Sequence, residues 1–172
     1  PAVVECDRER TGASGATVSG VGMSAPALVG GIDTAALRIQ VLGGFGVTLD
    51  GHRVPEETWR SQKAQHLIKL LALSPALSLA RDEIIDALWP DSEPAAVADT
   101  CYQTIYYARR ALDPGRLGLL STRRGLVTLR HPGGVAVDLA AFQTAAAAAR
   151  RQHEPAAYGA ALALYTGDLL PA

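Results

Sequence analysis

At 172 residues, with 48% hydrophobic and 19% charged side chains, the chain is long enough for one well-buried core plus a small attachment and has the composition of a globular protein. A net charge of −1 carries no signature of nucleic-acid binding. No apolar run approaches a membrane span and no charged-then-apolar signal pattern opens the chain, so the expectation is a cytoplasmic protein with no membrane partner. Cys6 and Cys101 form neither a CxxC pair nor a His/Cys cluster at metal spacing, so no metal and no other cofactor is expected.

Residues 1–35 are rich in Gly, Ala, Ser and Val without a sustained period, the composition of a flexible linker or tail. At Leu37 the pattern changes: Leu37, Ile39 and Val41 alternate with Arg38 and Gln40, and Phe45, Val47 and Leu49 resume the alternation after Gly43-Gly44. That is the period of half-buried strands. Asp50-Gly51 is a hairpin turn into a short strand around Arg53-Val54, completing an N-terminal antiparallel sheet. The glycines at 43, 44 and 46 lack the lysine and following Ser/Thr of a phosphate loop.

A first helix is predicted from Arg60 to Leu73, with Ala64, Leu67, Ile68 and Leu71 on one stripe, Ser61 as its cap and Pro75 beyond its end. A second runs from Arg81 to Leu88 and is closed by Trp89-Pro90; Ala80 makes a poor cap, and Ser78 serves only if the helix starts earlier. The third helix, Pro94 to Leu112, puts Val97, Cys101, Ile105, Ala108 and Leu112 on its apolar stripe. Its other side carries Thr100, Tyr102, Gln103, Tyr106, Tyr107, Arg109 and Arg110. Amide, hydroxyl and guanidinium groups on a helix of this girth are what reads base edges and phosphates in the major groove of DNA. Strands over Leu117–Ser121 and Leu126–Arg130 then frame a hairpin with Arg123 and Arg124 at its tip. Two amphipathic helices follow, marked by Leu139, Phe142, Ala146 and Ala149 and by Tyr158, Ala161, Leu162 and Tyr165, and broken at Glu154-Pro155.

Charge is unevenly spread. From Pro94 to His131 six arginines (Arg109, Arg110, Arg116, Arg123, Arg124, Arg130) face two aspartates, Asp99 and Asp113, whereas Asp50 to Glu93 holds eight acids against five bases. One basic and one acidic side fit DNA on the first and a protein partner on the second. No catalytic motif is present: His52, His66, His131 and His153 are scattered, and no nucleophile elbow, HExxH or dinucleotide fingerprint occurs. The chain is therefore not expected to be an enzyme.

The predicted order, sheet, three helices and hairpin, is that of a winged helix. LRIQVLGGFGVTLDGHRV, WRSQKAQHLIKLLAL, DEIIDALWPD and the helix ending RRAL resemble the OmpR/PhoB-type winged helix-turn-helix, and more closely the version in Streptomyces antibiotic regulatory protein (SARP) activators. The segment VDLAAFQTAAAAARRQHEPAAYGAALALYTGDLLP is similar to the opening of the bacterial transcriptional activator domain (BTAD). The resemblance implies an α+β winged helix-turn-helix over residues 36–132, with a C-terminal β-hairpin wing, followed by an all-α helical hairpin over 133–172 that starts a BTAD. It implies a DNA-binding transcriptional activator that binds direct repeats, as a homodimer on DNA, and touches RNA polymerase or its sigma factor through the loop before the third helix.

On that reading the phosphate contacts fall to Arg60, Lys63, Arg109 and Arg110, base readout to Thr100, Gln103, Thr104, Tyr106 and Tyr107, and minor-groove contact to Arg123 and Arg124. The polymerase loop comprises Trp89, Asp91, Ser92 and Glu93, although the reading favoured for Trp89 itself is packing beneath the loop. Asp99, Tyr106 and Tyr107 stand where family members commonly have basic residues, and Arg124-Gly125-Leu126-Val127 replaces the usual Gly-x-Gly-Tyr of the wing. The alternative is a winged helix acting as a protein-interaction or scaffold module, with the tyrosines as contact aromatics.

Overall fold

The computed structural model describes residues 35–113 and 115–171; the linker reading of residues 1–35 lies outside them except for the last residue, as does Cys6. Strand β1 (Leu37–Gln40) pairs antiparallel with β2 (Gly46–Leu49), with Leu37, Ile39 and Val47 turned into the core as their alternation predicts. Asp50 and Gly51 turn the chain at φ 47° and 82°, the left-handed pair a two-residue hairpin needs, and β3 follows at His52–Arg53. Helix α1 (Gln62–Leu73) buries Ala64, Leu67, Ile68 and Leu71. Ser61 is at its cap position, although its hydroxyl makes no cap bond.

The next strand, β4 (Ser78–Ala80), was not expected. Ser78 belongs to it rather than to a helix cap, and its hydroxyl lies 2.5 Å from that of Thr128. Helix α2 (Arg81–Leu88) has Ala80 at its cap position, whose N–H donates to the Glu83 carboxylate at 2.7 Å, so an acid three residues on compensates for the poor cap. After the loop at 89–93 comes α3 (Pro94–Leu112), with the bounds its periodicity predicts. Cys101, Ile105, Ala108 and Leu112 are buried with α1 and α2 in one cluster, and Val97 packs at its margin.

Strands β5 (Leu120–Arg123) and β6 (Leu126–Leu129) form the hairpin, turned at Arg124 and Gly125 with φ 50° and 77°. The first strand starts three residues later than expected, for a physical reason. Asp113, at the end of α3 and 5% exposed, accepts hydrogen bonds from the backbone N–H groups of Leu117, Gly118 and Leu119. Those donors are thereby unavailable to a ladder. The hairpin is also not free-standing: β4 pairs with β6, giving a sheet of order β4-β6-β5, and the Arg81 N–H donates to the Gly125 carbonyl at the turn.

The N-terminal sheet is mixed rather than antiparallel. Strand β7 (Val135–Val137) lies parallel to β1, pairing Leu37 with Val135 and Ile39 with Val137 in the order β3-β2-β1-β7. One sheet thus spans the 132/133 boundary expected from sequence. Helix α4 (Asp138–Gln152) and helix α5 (Pro155–Ala163) pack on each other, and α4 also meets β1 and β7. Asp138 fastens this join, its carboxylate accepting from the N–H groups of Val41 and Leu42 at 2.9–3.0 Å. Thr166 donates its hydroxyl to the Leu42 carbonyl, and the Leu170 N–H donates to the Val41 carbonyl. The stripe read for α5 is only partly internal: Ala161 is buried, whereas Leu162 is 67% exposed and Tyr165 lies past the helix, its ring 5.6 Å from that of Phe142. Among the described residues no helix is long and apolar enough to cross a membrane.

Candidate nucleic-acid interface

With α3 seated by its apolar stripe, its outer face presents Asp99, Thr100, Tyr102, Gln103, Tyr106 and Arg110 to solvent, with Tyr107 half-buried beside them. Thr104 is not among them. It is 3% exposed and its hydroxyl donates to the Thr100 carbonyl one turn back; with Ala111 also buried, the core-facing stripe is wider by two residues than the sequence pattern indicated.

Two tyrosines dominate the face. Tyr102 is 52% exposed and Tyr106 49%, one helical turn apart. Each phenol is held by an arginine. Arg81, at the start of α2, donates to the Tyr102 hydroxyl at 2.9 Å, with its guanidinium 5.7 Å from the ring centre. Arg110 donates to the Tyr106 hydroxyl at 3.2 Å and lies 5.9 Å from that ring. The Arg110 hydrogen bond and charge push the Tyr106 phenol below its ordinary range, with the more distant Arg60 and Arg116 adding to the effect. The Tyr106 and Tyr107 rings meet edge to face at 5.7 Å.

The cations nominated for phosphates divide into two groups. Arg60 joins Arg110, Tyr107, Thr58 and Glu57 around a cleft of about 270 Å³ beside the C-terminal half of α3. Arg123 and Arg124 are exposed at the hairpin end, Arg124 in the turn and Arg123 paired with Leu126. Lys63 and Arg109 are engaged internally. The Lys63 ammonium donates to the Leu88 carbonyl at the end of α2 and sits 4.8 Å from the Trp89 ring centre. The Arg109 Nε–H donates to the Leu120 carbonyl at 2.9 Å, pinning the start of β5 to α3. Both basic groups thus make a contact within the protein, which spacing along the sequence cannot reveal.

In the loop before α3, Asp91, Ser92 and Glu93 are exposed, whereas Trp89 packs against the core. The residues that composition passed over are Arg81, which holds Tyr102, and Asp113, which sets the approach to the hairpin.

No family model matches the chain, and no curated protein matches it. Among solved structures, Mycobacterium tuberculosis EmbR in complex with a low-affinity phosphopeptide aligns with a TM-score of 0.60 and 23% identity over 78% of this chain. The chain spans 37% of the length of that structure. At this identity the likeness is one of fold: the chain is a mixed α+β protein of the architecture that EmbR displays, compatible with a winged helix.

Proposed function

We propose that the chain is a sequence-specific DNA-binding transcriptional regulator of the SARP type, with α3 as its recognition helix, the β5–β6 hairpin as its wing and α4–α5 as the start of a BTAD. The observation that carries this reading is the outer face of α3. Thr100, Tyr102, Gln103, Tyr106 and Arg110 line one exposed surface, with Arg60 beside it and Arg123 and Arg124 on the hairpin that α3 itself anchors. Guanidinium groups meet phosphates, while amide and hydroxyl groups read bases. The exposed acids of the loop, Asp91 and Glu93, suit a basic surface on RNA polymerase or its sigma factor, which makes the protein an activator acting in the cytoplasm on the nucleoid. Direct-repeat operators would seat two copies.

The test is a fluorescence-anisotropy titration on random-sequence duplex between about 50 and about 200 mM salt. Binding should weaken linearly in log–log form, and Arg60→Met or Arg110→Met should each lower the slope by about one. Absence of binding at the lowest salt overturns the reading, because the phosphate contribution is independent of sequence. A second reading rests on the tyrosines: two half-exposed aromatic rings on one helix face are also what a protein interface uses.

A further inference from the structure

We infer that Tyr102 and Tyr106, each locked to an arginine, are the specificity-determining residues of the α3 face, reading hydrogen-bond acceptors, guanine or thymine, at two positions about two base-pair steps apart. This rests on the DNA-binding reading above and goes beyond it by naming the target.

A guanidinium has donors and no acceptor, so in the Arg81–Tyr102 and Arg110–Tyr106 hydrogen bonds the phenol oxygen must be the acceptor. Each phenol keeps its one proton for an outside partner. The adjacent cation polarises that O–H toward donation and repels the amino hydrogens of adenine N6 or cytosine N4. In the major groove guanine offers O6 and N7 as neighbouring acceptors and thymine offers O4; adenine's N7 is flanked by the amino group that the cation repels, and cytosine shows only its amino group. An unpaired tyrosine would be free to donate or accept; these two are biased to donate.

Spacing follows from the helix. Four residues rise about 6 Å, and base pairs stack about 3.4 Å apart along the duplex axis, so with α3 laid along the groove the two hydroxyls lie roughly two steps apart. Gln103 lies between them in sequence on the same exposed face, and its amide fits adenine bidentately. The arginines are positioning residues. Arg81 reaches Tyr102 from a different helix, so this orientation does not depend on α3 alone.

The test is selection from a randomised duplex library by the 172-residue chain and by its Tyr102→Phe and Tyr106→Phe variants, followed by sequencing and a salt titration. The rings and helix are retained in both variants, and the lost hydroxyls are at the surface. The wild-type motif should hold G or T at two positions about two steps apart. Each variant should relax one of them by about fivefold, the worth of a single hydrogen bond, with no change of salt slope because no charge is lost. Wild-type binding with a motif that both variants reproduce unchanged, or with no motif at all, overturns this inference and leaves DNA binding standing. No binding to any duplex at low salt overturns both.

Discussion

Replacing Asp113 by alanine should destabilise the protein and loosen the hairpin together. The carboxylate holds three backbone donors: Leu117 and Gly118, in exposed residues that water can reach, and Leu119, which is 1% exposed. Orphaning the Leu119 N–H costs about 1–3 kcal/mol, and exchanging the two outer bonds for water adds about 1 kcal/mol, so the total is about 2–4 kcal/mol. Asparagine keeps one acceptor oxygen but turns an NH2 toward the remaining donors, which places it between wild type and alanine. Urea unfolding followed by circular dichroism gives the free energy, and native-state hydrogen exchange of the Leu117, Gly118 and Leu119 amides locates it. Asp113→Ala within about 0.5 kcal/mol of wild type, or a Leu119 amide still protected in that variant, would refute the assignment.

Other consequences are open to direct measurement. Lys63→Met should leave the salt slope of DNA binding unchanged, unlike Arg60→Met, because the ammonium is committed to the Leu88 carbonyl; a drop of about one in slope would return Lys63 to the phosphates. The Cys101 thiol is pushed up by burial, opposed by Arg81 and reinforced by Asp82. Its neutral form is favoured in the fold, so its contribution to stability holds below the ordinary thiol range and is lost as pH rises above it. In a Cys6→Ser variant a thiol reagent at neutral pH should therefore label Cys101 only after denaturant is added, and rapid labelling of that native variant would contradict this placement. Replacing both Asp91 and Glu93 with alanine should spare DNA binding and reduce transcription in a reconstituted assay; unchanged transcription counts against the polymerase contact.

The long elements were legible in the sequence because their signals are local and repeated. Pro94 to Leu112 carries five apolar positions on one stripe, with a proline suited to the first turn, and its bounds agree with the structure. Strands β4 and β7 have three residues each, too few for alternation to register, and each exists because a partner strand lies far away in sequence. The same distance hid the roles of the polar residues. Asp113, Lys63 and Arg109 all serve backbone groups of neighbouring elements, and a charge in a sequence does not announce whether it meets solvent or a carbonyl. A threonine hydroxyl on α3 can read bases, but that of Thr104 satisfies itself on the preceding turn and its side chain joins the core.

The parallel pairing of β1 with β7 has a consequence for synthesis. Val41 at the end of β1 and Asp138 just after β7 are 97 positions apart, so one edge of β1 stays unpaired while everything between them is translated. At about 5–20 residues per second that interval is roughly 5–20 s. During it, an apolar strand with open hydrogen-bonding groups is available to other nascent chains, a known route to aggregation. The helices α1 to α3 can bury their shared face meanwhile, but β1, the first strand among the described residues, is among the last to be completed. Expression of a piece ending at 132 would make that transient exposure permanent.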